Sequence, residues 1–248
     1  MKKIVYIVSF IMLFACDSED ASDCFQTTGT IVQEVVEVAT FDKILVNRNV
    51  QLILKQDAET TIVIETGENL LSDVVVKVEN AQLILSDNNT CNLVRDYAAT
   101  KVYVTAPNIT EIRSSTQFEI QSEGVLNYNN LSLLSEDFNA PGTFTVGDFR
   151  MELNSNQVRV TSNNIASFYL SGVTNNLFVG FYSGAGRFEG EQLIAQNVDV
   201  YHRGSNDMIV NPQVELTGKL LGTGNLISVN QPPIVEVETL YTGRLMFN

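Results

Sequence analysis

The chain has 248 residues, of which 44% are hydrophobic, so it can bury an apolar core and is not globally disordered. Its formal net charge is −14, from 15 Lys and Arg against 29 Asp and Glu. An acidic chain without a Lys/Arg cluster repels phosphate backbones, so we expect no nucleic-acid partner.

Residues 1–15 have the pattern of an export signal. Lys2 and Lys3 precede an apolar run over 4–14, which is shorter than the about 20 residues of a membrane-spanning helix. The run ends in Leu13-Phe14-Ala15-Cys16. A cysteine after a small residue resembles a bacterial lipobox, and the resemblance implies cleavage before Cys16, a lipid on its sulfur and attachment to a membrane. The alternative is an ordinary signal peptide with an incidental cysteine.

Residues 16–23 are predicted to be an acidic tether, because Asp17-Ser18-Glu19-Asp20 follows the cysteine at once. An acidic run here resembles the surface-export signal of Bacteroidetes lipoproteins, which implies the outer membrane and exposure at the cell surface. In enterobacteria the same Asp17 would imply retention in the inner membrane. A solvated tether needs such charges in either case, so a periplasmic orientation stays open.

The folded part is predicted to run over residues 24–248 and to consist of strands. Alternating apolar residues predict a first strand in residues 31–38. A hairpin is predicted where the apolar runs 74–78 and 82–85 flank Glu79-Asn80-Ala81. Only residues 68–73 are expected to form a helical turn.

From Thr110 to Phe247, short alternating runs recur roughly every 17–21 residues with no helix between them. Units of this kind cannot bury an apolar edge alone and must stack, which predicts an all-β solenoid. The chain also lacks the Asn-Gly and Asp-Gly dipeptides that would favour the hairpins of a sandwich. The candidate core residues of the stacked turns are Phe118, Ile120, Phe144, Val146, Val158 and Val160.

Four runs in the first half have the order and spacing of a known family. They are Phe41-x-x-Ile44-x-Val46, Val50-x-Leu52-x-Leu54, Asn69-Leu-Leu71 and Val102-Tyr-Val-x-x-Pro107-x-Ile-x-x-Ile112. With them the chain resembles the auto-transporter adhesin head GIN domain family (DUF2807) of Bacteroidetes lipoproteins, from about residue 41 to residue 247. The resemblance implies a right-handed, single-stranded β-helix, an adhesive or surface role and no established catalytic residues.

No catalytic residue, metal site or cofactor is predicted. The single histidine, His202, lies so close in sequence to Ser205 and Asp207 that the three seldom converge as a hydrolase triad. An acidic cluster could support a carbohydrate-active enzyme, either a hydrolase or a lyase. That enzyme is the alternative function, although solvated strand edges explain the acids better: Glu136, Asp137, Asp148 and Glu152.

The densest aromatic stretch spans residues 168–188, and its alternating parity places some of the rings outside. Exposed rings stack on sugars or anchor a protein partner. We therefore predict an adhesion or binding module without catalysis, whose partner is a glycan or a surface protein. A lateral cover, a self-association face or a purely structural envelope role are the alternatives. The candidate binding residues are Tyr169, Phe178, Phe181 and Tyr182.

Cys24 and Cys91 remain when Cys16 is assigned to the lipid. In a chain exported to an oxidising compartment, we predict that these two form a disulfide. Two buried free thiols are the alternative.

Overall fold

In the computed structural model, which describes residues 24, 26–89, 91, 93 and 100–248, the chain is an all-β protein. The seventeen strands of these residues belong to one hydrogen-bonded sheet. The all-β prediction is confirmed, and a short 3-10 helix, Leu71–Asp73, occupies the expected helical turn. The predicted export signal, Cys16 and the acidic tether lie outside the described residues. Within the described part, no helix is long and apolar enough to span a membrane.

The strands are numbered in chain order, and the first ten are four to seven residues long. These are β1 Ile31–Val36, β2 Lys43–Val46, β3 Val50–Gln56, β4 Thr61–Gly67, β5 Val74–Glu79, β6 Gln82–Asp87, β7 Thr100–Ala106, β8 Glu111–Ser114, β9 Ile120–Leu126 and β10 Asn130–Ser135. Four long strands and three short ones follow. They are β11 Phe149–Ser162, β12 Ser167–Phe181, β13 Arg187–His202, β14 Met208–Leu220, β15 Leu226–Ser228, β16 Ile234–Thr239 and β17 Leu245–Phe247.

The strands stack in two columns that share the four long strands. Column A contains β1, β4, β7, β3, β9, the first halves of β11 to β14, then β15 and β17. Column B contains β5, β6, β2, β8, β10, the second halves of β11 to β14, and β16. The pairings are parallel except at the beginning, where β1–β4, β4–β7 and β5–β6 are antiparallel. The predicted hairpin β5–β6 is therefore confirmed.

The register along each column brings equivalent residues of successive turns together. In column A, Phe149 pairs with Phe168, Phe168 with Phe188 and Phe188 with Met208, so the chain returns to the same place after 19 or 20 residues. This return agrees with the predicted repeat. The preceding partner of Phe149 is Ile120, because the segment between β10 and β11 adds an extra loop.

The inward residues of both columns form the core. The rings of Phe149 and Phe168 are fully buried and stack with centroids 4.9 Å apart. Burial of each such side chain contributes about 1.5–3 kcal/mol. Three of the predicted core residues, Ile120, Val158 and Val160, are likewise buried.

The prediction was wrong for the other three candidate core residues, Phe118, Phe144 and Val146, which are only half-buried. They lie outside the strands, in the segments before β9 and β11, where strand alternation does not apply. Arg48 caps Phe144 instead, with its guanidinium 4.7 Å from the ring centroid.

The predicted disulfide is confirmed: Cys24 and Cys91 are bonded, with their Cα atoms 4.5 Å apart. The backbone N–H of Leu93 also donates to the carbonyl of Cys24 at 3.0 Å. Together these bonds tie residue 24, ahead of β1, to the segment that follows β6.

The corners between the columns are held by contacts from one turn to the next. At one corner, the amide of Asn175 donates to Asn156 at 3.0 Å and that of Asn197 to Asn176 at 3.1 Å. At the other corner, Gly184 has φ +85°, and a Cβ there would collide with the carbonyl oxygen of Asn164 in the preceding turn. Glycine is required because it alone combines that backbone conformation with so close an approach.

Candidate functional site

A group of outward-facing rings, one exposed and three half-buried, lies on the outer side of column B and the adjoining corner, and we call it the aromatic face. Its members are Phe138, Phe178, Tyr182 and Tyr201. The rings of Tyr182 and Tyr201 stack with centroids 4.9 Å apart and an interplanar angle of 28°. Phe138, which is 50% exposed, meets Tyr182 edge-on at 5.5 Å. Arg159 covers Phe178, with its guanidinium 4.1 Å from the ring centroid.

The register of column B explains why these groups meet. Arg159, Phe178 and Asp199 are successive partners on β11, β12 and β13, and all three point outward because Val160, Val179 and Val200 point inward. Tyr201 is two residues beyond Asp199 and therefore points outward as well. Outward residues of neighbouring turns are only about 4.8 Å apart, so side chains stack along the column.

Gly180 makes room for the aromatic face. It lies between Phe178 and Tyr182, and its position would otherwise carry a side chain among the rings. A Cβ on Gly180 would be 2.8 Å from Cε1 of Phe178 and 2.9 Å from Cε2 of Tyr182. The two rings therefore lean over the glycine, and a hydrogen at this position is what permits their arrangement.

An open cleft of about 580 Å³ follows the aromatic face toward β16. Its charged lining consists of Arg159 and Lys219 with Asp199, Glu236 and Glu238. The ammonium of Lys219 lies 3.5 Å from the carboxylate of Glu238, and both side chains are 56% exposed. Flat rings beside hydrogen-bond donors and acceptors are the groups that a polyhydroxylated ring would contact.

The structure divides the four candidate binding residues among three places. Phe178 and Tyr182 belong to the aromatic face. Tyr169 lies on the outer side of column A, under the guanidinium of Arg150 at 4.3 Å. Phe181 is fully buried in the core near Phe168, so its assignment to a binding surface was wrong. The parity of β12 points it inward together with Val179.

Sequence reasoning missed Phe138, Arg159 and Tyr201. The repeat itself carried a signal for Arg159, because Phe178 follows it by one turn. Tyr201 lies one turn beyond Gly180, and only this register shows that its ring stacks on Tyr182. Phe138 carried no such signal, since it belongs to the extra loop before β11.

A second concavity, which we call the acidic groove, lies on the outer side of column A. It has a volume of about 330 Å³, and its lining includes Arg150, Glu152, Tyr169, Glu189 and Glu191. Arg150 is engaged with Glu119 at 3.0 Å, and Glu189 with Arg187 at 2.9 Å. The pairing of β9 with β11 and of β12 with β13 shifts register here, as at β-bulges that re-aim side chains.

The four acids considered for the enzyme alternative do not converge on one point. Glu136 is buried and pairs with Arg113 at 2.6 Å. Asp137 accepts a hydrogen bond from the Asn163 side chain at 2.6 Å. Asp148 accepts one from the Ser167 backbone N–H at 2.7 Å, and only Glu152 faces a groove. Within the described residues, no three His, Cys, Asp or Glu side chains are grouped so that they could hold a metal ion.

His202 is fully buried, and its ring lies edge-on to Phe181 at 6.2 Å. Burial lowers the pKa of His202, because the charged ring would lose its hydration; the backbone at Asn206 and the Asp207 carboxylate oppose this only in part. Ser205 is exposed and donates to the Gly184 carbonyl at 3.2 Å. The histidine therefore faces the core and the serine faces outward. This arrangement fits a structural turn, whereas a hydrolase triad needs the two side chains in contact.

Comparison with solved structures shows the same fold in proteins from Bacteroides and Parabacteroides species. A putative adhesin from Bacteroides fragilis NCTC 9343 has a TM-score of 0.79 at 19% identity, over 90% of this chain and 99% of that one. A putative adhesin and a putative lipid binding protein from Parabacteroides distasonis ATCC 8503 have TM-scores of 0.61 and 0.60, each at 12% identity. Both cover 89% of this chain, and 99% and 98% of their own. No curated protein matches the chain.

The family model described as "Putative auto-transporter adhesin, head GIN domain" matches residues 40–232. The match includes β2 to β15 and therefore most of both columns and the whole aromatic face. It agrees with the resemblance seen in the sequence. The chain belongs to the auto-transporter adhesin head GIN domain family, DUF2807.

Proposed function

We propose that the protein is a cell-envelope lipoprotein that binds an extended surface glycan through its aromatic face. Membership of an adhesin family supports an adhesion module and a location at the cell surface or in the envelope. The observation that carries the choice of ligand is the row of outward-facing, half-buried rings, Phe178, Tyr182 and Tyr201, beside hydrogen-bonding side chains. A surface protein is the other partner that such a face would suit.

The scaffold of this module is proposed to be a right-handed, single-stranded β-helix. Two features support it: successive turns pair in parallel, and the chain returns after 19 or 20 residues. Nearly all crossovers between parallel strands are right-handed, which favours that hand. A coil of this kind presents long lateral faces, which suit an extended ligand better than a small buried substrate.

The choice of ligand is tested with a glycan array probed by the full chain, beside the variants Tyr182→Ala and Tyr201→Ala. We expect the wild type to bind a set of glycans and both variants to lose most of that signal. The matched control is Tyr169→Ala, which removes the same kind of ring from column A and should bind as the wild type does. Equal signal from all four proteins would exclude the aromatic face as the site.

The lipid anchor is a separate part of the proposal and rests on the lipobox pattern at Cys16. Replacing Cys16 with Ser should abolish labelling by a lipid precursor and release the protein from the membrane fraction. A variant that stays with the membrane after a carbonate wash would exclude a lipid on this cysteine. The acidic tether is proposed to direct the anchored protein to the outer membrane, exposed at the surface, and protease treatment of intact cells tests that orientation.

A carbohydrate-active enzyme is the second candidate, and the acidic groove is the observation that favours it. Glu152, Glu189 and Glu191 line one concavity together with Arg150, and glycoside hydrolysis uses two carboxyl groups on either side of one bond. The test is cleavage of a panel of polysaccharides by the full chain and by Glu152→Gln. Cleavage that Glu152→Gln abolishes would establish this function in place of the adhesion module.

A further inference from the structure

The two columns end unevenly after β14. Strands β15 and β16 both pair with β14, one in each column. Column A then continues with β17, which pairs with β15. Among the described residues, no strand pairs with the outer edge of β16 or of β17. Column A therefore protrudes by one strand, and column B has an open place of the same size beside β16.

The uneven end is also apolar. The inward residues Val237 and Leu245 contact the core from one side only, and both are partly exposed. Free strand edges beside exposed apolar side chains are sites where another strand adds. Six large apolar side chains of this end are 37–62% exposed: Ile234, Val235, Leu240, Tyr241, Met246 and Phe247.

We propose that this end binds a second copy of the same chain about a two-fold axis perpendicular to the columns. The rotation places column A of each copy in line with column B of the other. The protruding β17 of one copy then fills the open place beside β16 of the other, and the reverse occurs at the same time. Such self-complementary two-fold contacts are the commonest form of homo-oligomer.

The register of this contact follows from the corner that joins β16 to β17. Residues 239 and 244 flank that corner, so β16 of one copy and β17 of the other run antiparallel with their ends close together. Inward side chains must pair with inward ones, which leaves Glu238 or Leu240 opposite Arg244, and the opposite charges select Glu238. The same register sets Val237 opposite Leu245 and Val235 opposite Phe247, and all four of these point inward. Each seam, by which we mean the pairing of β16 of one copy with β17 of the other, thus joins apolar residues on its inner side and opposite charges on its outer side. Such cross-strand pairs are favourable.

Charge also excludes a second two-fold arrangement, in which β16 of one copy pairs with β16 of the other. Glu236 and Glu238 both point outward, so antiparallel self-pairing would set glutamates opposite glutamates. Like charges directly opposite each other destabilise a strand pair. In the described part of the chain no ion pair involves Arg244, whose side chain is exposed, so it is available to the second copy.

The test is the association state of the full chain, purified in detergent so that any lipid is retained, by light scattering over a concentration series. We expect a dimer that dissociates on dilution. Arg244→Glu and Glu238→Arg should each weaken association about tenfold or more, because each sets like charges opposite one another. The double variant Arg244→Glu, Glu238→Arg should regain most of the lost association, because opposite charges again face each other. Lys77→Glu, an equal change of charge on β5 at the opposite end of column B, should leave association unchanged.

A covalent trap checks the register independently of these charges. With Glu236 and Met246 both changed to Cys, mild oxidation should give a covalent dimer, because the two residues are opposite each other across the seam. Glu236→Cys alone should give none. A wild type that is monomeric throughout the series, or a dimer insensitive to both charge variants, would overturn the proposal. Thermal unfolding of each variant shows that it is folded.

Discussion

The rings of Tyr182 and Tyr201 lie on successive turns of column B and stack with centroids 4.9 Å apart. Their stacking depends on Gly180, which leaves space beside Tyr182, and on the parallel pairing of β12 with β13. The two rings already pack against each other without a ligand, so a bound ring should cost little ordering of side chains.

We expect Tyr201→Ala to weaken glycan binding by about 1–2 kcal/mol, roughly tenfold, as for a well-packed aromatic contact. Gly180→Ala should weaken binding too, because its Cβ would meet both flanking rings at 2.8–2.9 Å and push them apart. Titration calorimetry with a glycan identified on the array measures both. Wild-type affinity in both variants would show that the aromatic face does not bind the glycan. Unchanged melting temperatures would show that the variants are folded.

Removing the disulfide should destabilise the protein strongly. Cys24 and Cys91 are 67 residues apart, and closing a loop of that length contributes about 4 kcal/mol in the chain-entropy model. We expect the double variant Cys24→Ser, Cys91→Ser to lower the free energy of unfolding in urea by roughly that amount. Thiol titration of denatured, unreduced Cys16→Ser protein is the direct check, and two reactive thiols would contradict the bond.

Stability should fall as the pH drops below about 6.5 because of His202. Burial lowers the pKa of His202 in the folded chain from its ordinary value of about 6.5, so the unfolded chain binds a proton that the folded chain does not. The stabilisation is thus fully present above 6.5 and is lost as the pH falls toward the folded pKa. Urea unfolding at pH 7.5 and 5.5 measures the loss, most of which His202→Leu should remove. His202 is the single histidine of the chain, and most carboxylates titrate at lower pH.

Arg113→Ala should lower the free energy of unfolding by about 3–5 kcal/mol, because it leaves the buried carboxylate of Glu136 without its charged partner. The Glu136 side chain is 1% exposed, and its carboxylate accepts from Arg113 at 2.6 Å and from the Asn139 N–H at 2.9 Å. Arg150→Ala is the matched control: its pair with Glu119 is exposed, so its loss should cost less than about 1 kcal/mol. Equal unfolding free energies for the two variants in urea would contradict the structural role assigned to Glu136.

Local patterns in the sequence determined the strands of this protein. Period-two alternation, a turn length near 20 residues and a hairpin at Glu79-Asn80-Ala81 depend only on neighbouring residues, and the structure has all three. The pairing of Cys24 with Cys91 could also be predicted, because these two cysteines remain once Cys16 is assigned to the expected lipid. The family was recognisable from the order and spacing of apolar runs, because those runs set the core.

Only the tertiary structure decided which side of each strand is inside and which side chains meet across turns. Alternation gives two possible faces, and register shifts and corners choose between them, so Phe181 is buried while Phe178 and Tyr182 are outside. The extra loop before β11 brings Phe138 to Tyr182 and Glu136 to Arg113. The uneven end of the columns likewise follows from which strands β15 and β16 pair with. Contacts between residues 20 or more apart depend on the stacking of whole turns, which no local pattern encodes.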